Sequence, residues 1–274
     1  MNLFGKLLTA GYHLRLNAAR ALRYDRAPDS PEAQRLRADG VVVLPGFFPP
    51  ETLRSTIVEN ERAFDPSRAS ELLFSPDGVK ILEAASVSRE ELARFYFLHI
   101  KNYQAAFDIY GRIGPVLERI LRPYYRSPYY FRDLVCYRSQ PVPNENQGSY
   151  AWHRDNYPPG CLKVMVYLTD VTSEAQGPLV YALGSQAGFR PELGRYGDRV
   201  PRDQVEGRYQ ILPCLGPKGT VIVFNNNGIH RASNPRSGRR EVINATILPR
   251  LGSRPPVEGL DLNKEAGFLK KYTR

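Results

Sequence analysis

The chain has 274 residues, 42% of them hydrophobic and 24% charged, with a formal net charge of +10. Those proportions describe a globular protein able to bury a sizeable core, and no apolar run approaches the roughly 18 residues that a bilayer span needs. The positive charge collects in two places: residues 1–30 hold five Lys/Arg against two Asp, a net of +3, and residues 231–254 hold six Arg against Glu241, a net of +5. No nucleic-acid motif accompanies it, and no basic stripe interleaved with aromatics, so no nucleic-acid partner is expected.

Residues 1–26 have the pattern of an amphipathic helix, with Leu3, Leu7, Leu14 and Ala18 on one side and Lys6, His13, Arg20 and Arg23 opposite. Such a helix either packs on the domain surface or acts as a basic interfacial segment against anionic lipid or a partner. Residues 1–30 are therefore read as an extension and 31–274 as a single domain. Ser30-Pro31-Glu32 supplies an N-cap and a proline at the first helical position, which opens a helix through Arg37. Val41-Val42-Val43-Leu44, bounded by Gly40 and Pro45, reads as a short strand. Pro50-Glu51 starts another helix carrying Leu53 and Ile57, and helical periodicity recurs around Arg89–Ala106 and Ile109–Leu121.

From Tyr129 the pattern changes. Short apolar or alternating segments follow at Tyr129–Arg138, Tyr150–Asn156, Lys163–Thr169, Leu179–Ala182, Tyr209–Leu212, Thr220–Phe224 and Glu241–Leu248, separated by Gly, Pro and Asn. Strands in succession with turns between them predict a sandwich or jelly roll, not alternating βα units. The expected fold is mainly β with α: a double-stranded β-helix (cupin-like jelly roll) over about 129–250, buttressed by N-terminal helices. Cys136, Cys161 and Cys214 are odd in number, with no C-x-x-C pairing, and read as buried reduced thiols. With no secretory signal in the N-terminal segment, a cytoplasmic location is expected.

The chemistry concentrates at His153-Arg154-Asp155, followed 75 residues later by His230 and ten residues after that by Arg240. Side chains alternate faces along a strand, so in an extended run His153 and Asp155 project together and Arg154 projects away. A histidine beside an aspartate is also a common structural hydrogen bond. The context favours metal: the H-x-D precedes the apolar run Leu162–Leu168, and His230 follows Thr220–Phe224. Two histidines and one carboxylate on strand ends are the ligand set of a mononuclear non-haem Fe(II) centre with open coordination positions. Arg231 and Arg236 begin a basic stretch beside His230 that could meet an anion or simply face water.

Several stretches, in order, resemble the phytanoyl-CoA dioxygenase family of Fe(II)/2-oxoglutarate oxygenases. They are Leu36 to Phe48 with its Asp39-Gly40 and Pro45-Gly46-Phe47-Phe48, then Trp152-His153-Arg154-Asp155, and then Val166 to Thr172. Gln176-Gly177-Pro178-Leu179, Gly184-Ser185-Gln186, and His230-Arg231-Ala232-Ser233-Asn234-Pro235 with Arg240 complete the set. Gln186 stands where the family usually has His, and Ser233 lies one place later than the commonest His-x-Ser. The resemblance implies that His153, Asp155 and His230 ligate Fe(II) and that Arg240 binds the distal carboxylate of 2-oxoglutarate. A planar guanidinium suits a buried carboxylate in a way that Lys does not, and the spacing selects Arg240 over Arg239. Ser233, Tyr137 and Met165 are further candidates for the cosubstrate site. Met165 and Tyr167 alternate with Val164 and Val166, so one of these pairs lines the barrel interior. The implied reaction uses O2, releases succinate and CO2, and hydroxylates a small molecule, with anionic, lipidic and carrier-linked classes all open. An intact carboxylate at Asp155 sets the chain apart from related halogenases. The alternatives are a non-catalytic jelly-roll binding protein and a cupin-type metalloenzyme that does not use 2-oxoglutarate.

Overall fold

Ser30 caps the first helix described: its Oγ accepts the Ala33 N–H at 3.0 Å, ahead of α1 (Pro31–Asp39). The helix ends at Gly40, whose φ of 82° is the left-handed conformation and whose N–H returns to Leu36 O. The structure is a computed structural model describing residues 28–63, 72–74, 82–83, 97–100, 117–127, 129–139, 148–155, 157–189 and 198–249, with positions 14, 114 and 141. The expected helix over 1–26 lies outside these except for Leu14, which is exposed. The further helices are α2 (Pro50–Ala63), α3 (117–125) and α4 (Arg202–Glu206). None of the described helices is long and apolar enough to cross a membrane.

Two antiparallel sheets form the body. The larger contains β1 (Val41–Leu44), β2 (Leu72–Phe74), β3 (Leu82–Glu83), β4 (Phe97–Ile100), β5 (Tyr129–Ser139), β7 (Leu162–Tyr167), β11 (Val221–Asn225) and β13 (Arg240–Pro249), in the order β1-β11-β7-β13-β5-β4-β2-β3. The smaller contains β6 (His153–Arg154), β8 (Leu179–Ala182), β9 (Asp198–Arg199), β10 (Ile211–Cys214) and β12 (His230–Ala232), ordered β10-β8-β12-β6-β9. This is the expected jelly roll.

The alternation of side chains divides the core into layers. Val164 and Val166 of β7, with Val221, Val223 and Ile243, face the helices and pack against Leu36, Leu53, Leu117 and Leu121. Met165 and Tyr167, with Ile222, Phe224 and Val242, face the other way, against Leu179, Tyr181 and Cys214 of the smaller sheet. Met165 and Tyr167 are therefore the interior pair. Both faces of β7 are covered, which is why its sequence runs apolar without alternation. A third cluster, Trp152, Val180, Ala182, Val205 and Ile229, puts α4 against the outer face of the smaller sheet.

Two local expectations need correction. The helical periodicity across Arg89–Ala106 contains β4, which pairs with β2 on one side and β5 on the other; ladder bonds to two neighbours outweigh an amphipathic pattern that sequence shares with helices. Among the described residues of the expected extended run Tyr150–Asn156, the strand covers His153–Arg154 alone, preceded by a 3-10 turn at Gly148–Tyr150. The ladder stops because Asp155 N–H turns aside to Asn226 O at 3.1 Å. Cys161 and Cys214 are buried thiols outside any disulfide.

Gly40 carries a close approach that its sequence neighbours do not reveal. Its carbonyl accepts the Asn225 N–H at 2.8 Å, and a Cβ there would collide with the Gln186 side chain and the Tyr181 hydroxyl. Gly40→Ala should therefore destabilise the protein by at least about 1–2 kcal/mol from the left-handed backbone alone, read as a lower urea midpoint; an unchanged midpoint would contradict this geometry.

Candidate metal centre

His153 and His230 lie directly opposite each other in the β6–β12 ladder. Strand alternation turns both toward the space between the sheets, and both are buried. Asp155 follows β6 by one residue and turns its carboxylate into the same space. His153 Nε2 is 3.5 Å from Asp155 Oδ1 and His230 Nε2 is 3.8 Å from Oδ2. One ligand atom from each of the three residues falls within 4.8 Å of the others. A single cation with bonds of about 2.0–2.2 Å to imidazole and carboxylate spans such separations.

The other ring nitrogens fix which atoms face inward. His153 Nδ1 donates to Ala151 O and His230 Nδ1 to Gly228 O, each at 2.9 Å. A carbonyl only accepts, so each neutral ring carries its proton on Nδ1 and presents an Nε2 lone pair to the centre. Burial, reinforced by the neighbouring His153, pushes the His230 imidazole down to about 3, which keeps it neutral and able to ligate. Burial on its own would raise the Asp155 carboxyl, but the Lys163 ammonium holds it well below the usual carboxylate range. Lys163 Nζ donates to Asp155 Oδ2 at 2.5 Å. Two imidazole Nε2 atoms and one ionised carboxylate are a donor set that fits a ferrous ion.

Phe224 and Tyr181 form an apolar wall beside His230, with ring centroids 5.3 and 6.3 Å away. Arg240 is 1% exposed and is the largest fully buried side chain described. Its Nη1 donates to Gly177 O at 2.6 Å and its Nη2 to Ser139 Oγ at 3.1 Å, while its buried Nε has no hydrogen-bond partner. The guanidinium thus keeps one buried donor unused, of the kind that bonds anionic oxygens most strongly. Arg239 takes the opposite face: its guanidinium donates to Glu241 at 2.7 Å, and Glu241 also accepts from Arg138. Alternation along β13 thus separates the two arginines.

The remaining candidates fall in different places. Met165 is on the interior face with Phe224 and Val242. Ser233 donates its N–H to Pro178 O, and its hydroxyl accepts from Arg231 Nη1 at 3.5 Å, so it engages the outward side of β12. Tyr137 sits on β5 opposite Val242 and His99; its side chain lies outside the described residues. Gln186, where a histidine is usual, donates its Nε2 to Arg37 O at 3.0 Å and Ala38 O at 3.2 Å, capping the last carbonyls of α1 away from the metal ligands. Lys163, Ser139 and the Asn225-Asn226-Asn227 turn belong to the centre's surroundings without any sequence motif marking them. The one legible hint is a lysine inside the otherwise apolar strand Leu162–Tyr167.

A double-stranded β-helix holding two imidazoles and a carboxylate between its sheets defines the mononuclear non-haem iron class. The family model of phytanoyl-CoA dioxygenase (PhyH) matches residues 36–242, and the chain belongs to that family. It is similar to an L-proline trans-4-hydroxylase from Streptomyces griseoviridis, 28% identical, over 38% of this chain and 47% of that enzyme; the match spans about half of that relative's length. Among solved structures it is similar to the epimerase SnoN in complex with Fe3+, alpha ketoglutarate and nogalamycin RO, at 17% identity and a TM-score of 0.59, covering 84% of this chain and 90% of that one. It is also similar to EctD from S. alaskensis with 2-oxoglutarate and 5-hydroxyectoine, at 18% identity and a TM-score of 0.57, covering 82% and 78%. At such identities the structural likeness is one of fold.

The Asp155 ion pair has a pH signature in the metal-free protein. Its carboxyl is lower in the folded than in the unfolded state, so the stabilisation is present above the unfolded value, about 3.9, and is lost as pH falls through the folded one. Asp155→Asn leaves the Lys163 ammonium without its carboxylate and should cost about 3 kcal/mol at pH 7. Urea midpoints of the wild-type and Asp155→Asn apo-proteins should keep a constant gap from pH 7 down to about 4 and converge only below it, as pH falls toward the folded value; a gap that does not narrow below about pH 4 would contradict the depressed carboxyl.

Proposed function

We infer that the protein is an Fe(II)- and 2-oxoglutarate-dependent dioxygenase that hydroxylates a small molecule. The observation that carries this reading is the pairing, inside one barrel, of the converging His153, Asp155 and His230 donors with the buried, incompletely bonded guanidinium of Arg240. His153, Asp155 and His230 would hold the iron, and Arg240 the distal carboxylate of 2-oxoglutarate. Bound together, the metal and cosubstrate supply oxidative decarboxylation, in which 2-oxoglutarate and O2 yield succinate and CO2 and one oxygen atom goes to the substrate.

The chain's own residues contribute position and environment. Ala151 O and Gly228 O hold the two imidazoles in the tautomer that points Nε2 inward. Ser139 and Gly177 O orient the Arg240 fork, leaving Nε for the ligand. Met165, Tyr181, Phe224 and Val242 surround the interior with apolar surface, which excludes water and strengthens the charge pairing within. The hydroxylase relative supports a small-molecule substrate, and screening is best begun with amino and imino acids.

Anaerobic addition of Fe(II) and 2-oxoglutarate to the apo-protein should give the weak visible charge-transfer band of the chelate. Arg240→Met should raise the 2-oxoglutarate concentration needed by about 30-fold or more, as expected for losing a buried charge pair worth at least about 2 kcal/mol. His153→Ala should abolish the band. No band in wild type, together with no succinate from any substrate screen, overturns the reading. Metal binding with no response to 2-oxoglutarate would indicate the cupin-type alternative instead.

A further inference from the structure

The turn joining β11 to β12 touches two of the three candidate metal ligands through its backbone. Asn226 O accepts the Asp155 N–H at 3.1 Å, and Gly228 O accepts His230 Nδ1–H at 2.9 Å. The same turn also takes the residue between the first two ligands: Arg154 Nη1 donates to Asn227 O at 2.5 Å and to Ser185 O at 2.7 Å. Wherever this turn sits, Asp155 and His230 follow. Its position relative to the 155–161 segment is therefore a determinant of ligand geometry.

Two residues of the turn set that position: Asn226 donates its N–H to Cys161 O at 3.2 Å and its Nδ2 to Cys161 Sγ at 3.5 Å, and the Asn227 side chain holds the end nearer Asp155. Asn227 Oδ1 accepts the Tyr157 N–H at 2.9 Å, and Asn227 Nδ2 donates to Tyr157 O at 2.9 Å. The primary amide thus engages both backbone groups of a single residue, two places beyond Asp155, where no strand is present to do so. Its own N–H is held by Asn225 Oδ1 at 2.9 Å, and Asn225 N–H is held in turn by Gly40 O at 2.8 Å. Asn227 is 5% exposed, so these bonds are sheltered from competing water. Asparagine is suited to the task because it presents a donor and an acceptor in one plane; aspartate lacks the donor, and an apolar side chain lacks both.

We propose that Asn227 is a positioning residue of the metal centre, which fixes the Asp155 carboxylate against the two imidazoles by clamping the Tyr157 peptide to the β11–β12 turn. This rests on His153, Asp155 and His230 being the metal ligands. Asn227 has no hydrogen bond to any of the three side chains and acts through the Tyr157 backbone on one side of Asp155 and the Arg154 guanidinium on the other. Groups that hold ligands from outside the coordination sphere are typically worth about 10–100-fold in metal affinity.

The test uses the full-length apo-protein and Co(II) as an oxygen-stable probe, with binding followed by calorimetry and the ligand-field spectrum of the bound ion. Asn227→Ala should weaken Co(II) binding by about 10-fold or more and alter the visible spectrum. Asn227→Asp, which keeps the size and removes the donor, should move both in the same direction and serves if the alanine variant does not fold. Ser30→Ala removes a helix cap remote from the centre and controls for a general loss of stability; it should lower the melting temperature without changing the dissociation constant or the spectrum. If either folded Asn227 variant binds Co(II) with wild-type affinity and spectrum, the proposal is overturned while the metal assignment stands. If wild type itself binds no Co(II) and His230→Ala is indistinguishable from it, the metal assignment fails and takes the proposal with it.

Discussion

A carboxylate taken out of water costs several kcal/mol unless other charges and donors replace its hydration, and the interior of this barrel is organised around that constraint at Asp155. The Lys163 ammonium lies on one of its oxygens and supplies that replacement, while the Nε2 lone pairs of His153 and His230 converge beside it from the smaller sheet. Each imidazole is turned by a bond from Nδ1 to a main-chain carbonyl. The group at the centre is thus ionised and the groups around it are aimed. That combination is what a divalent cation requires before it arrives.

The same constraint recurs at the second buried charge. Arg240 would be costly in an apolar interior without partners, and it has two, Gly177 O and Ser139 Oγ. Its Nε remains without one, which is a local deficit that a bound carboxylate would remove. The deficit and the donor set lie on one face of the larger sheet, because β13 and β7 run side by side, with Val242 opposite Tyr167 and Thr246 opposite Lys163, and Arg240 and Lys163 alternate in step with the interior Val242 and Met165. The helices on the other face of the larger sheet hold this arrangement in place by packing Leu36, Leu53 and Leu117 against the outward valines.

Much of this is legible in the order of the residues alone. The H-x-D spacing, the distant His230 and the ten-residue step to Arg240 are properties of strand alternation and strand ends, which are local. The Ser30 cap, the β1 strand and the start of α2 are local too, and the structure has them where the sequence places them. What is not legible is long-range. β4 reads as helix because its apolar spacing fits both periods, and only its neighbours β2 and β5 decide between them. The expected strand around Asp155 is shortened by a hydrogen bond to a turn more than 70 residues later.

By itself, then, the sequence determined the kinds of group present and the order in which strands could present them, because residue chemistry and side-chain alternation need no partner. Tertiary structure alone decided which face of β7 looks inward, that Lys163 would meet Asp155, and that Gln186 would cap α1 and not enter the centre. It also brought the Asn225-Asn226-Asn227 turn against the segment after His153. These pairings join residues far apart in the chain, and their energies depend on burial that exists only once both sheets are closed around them.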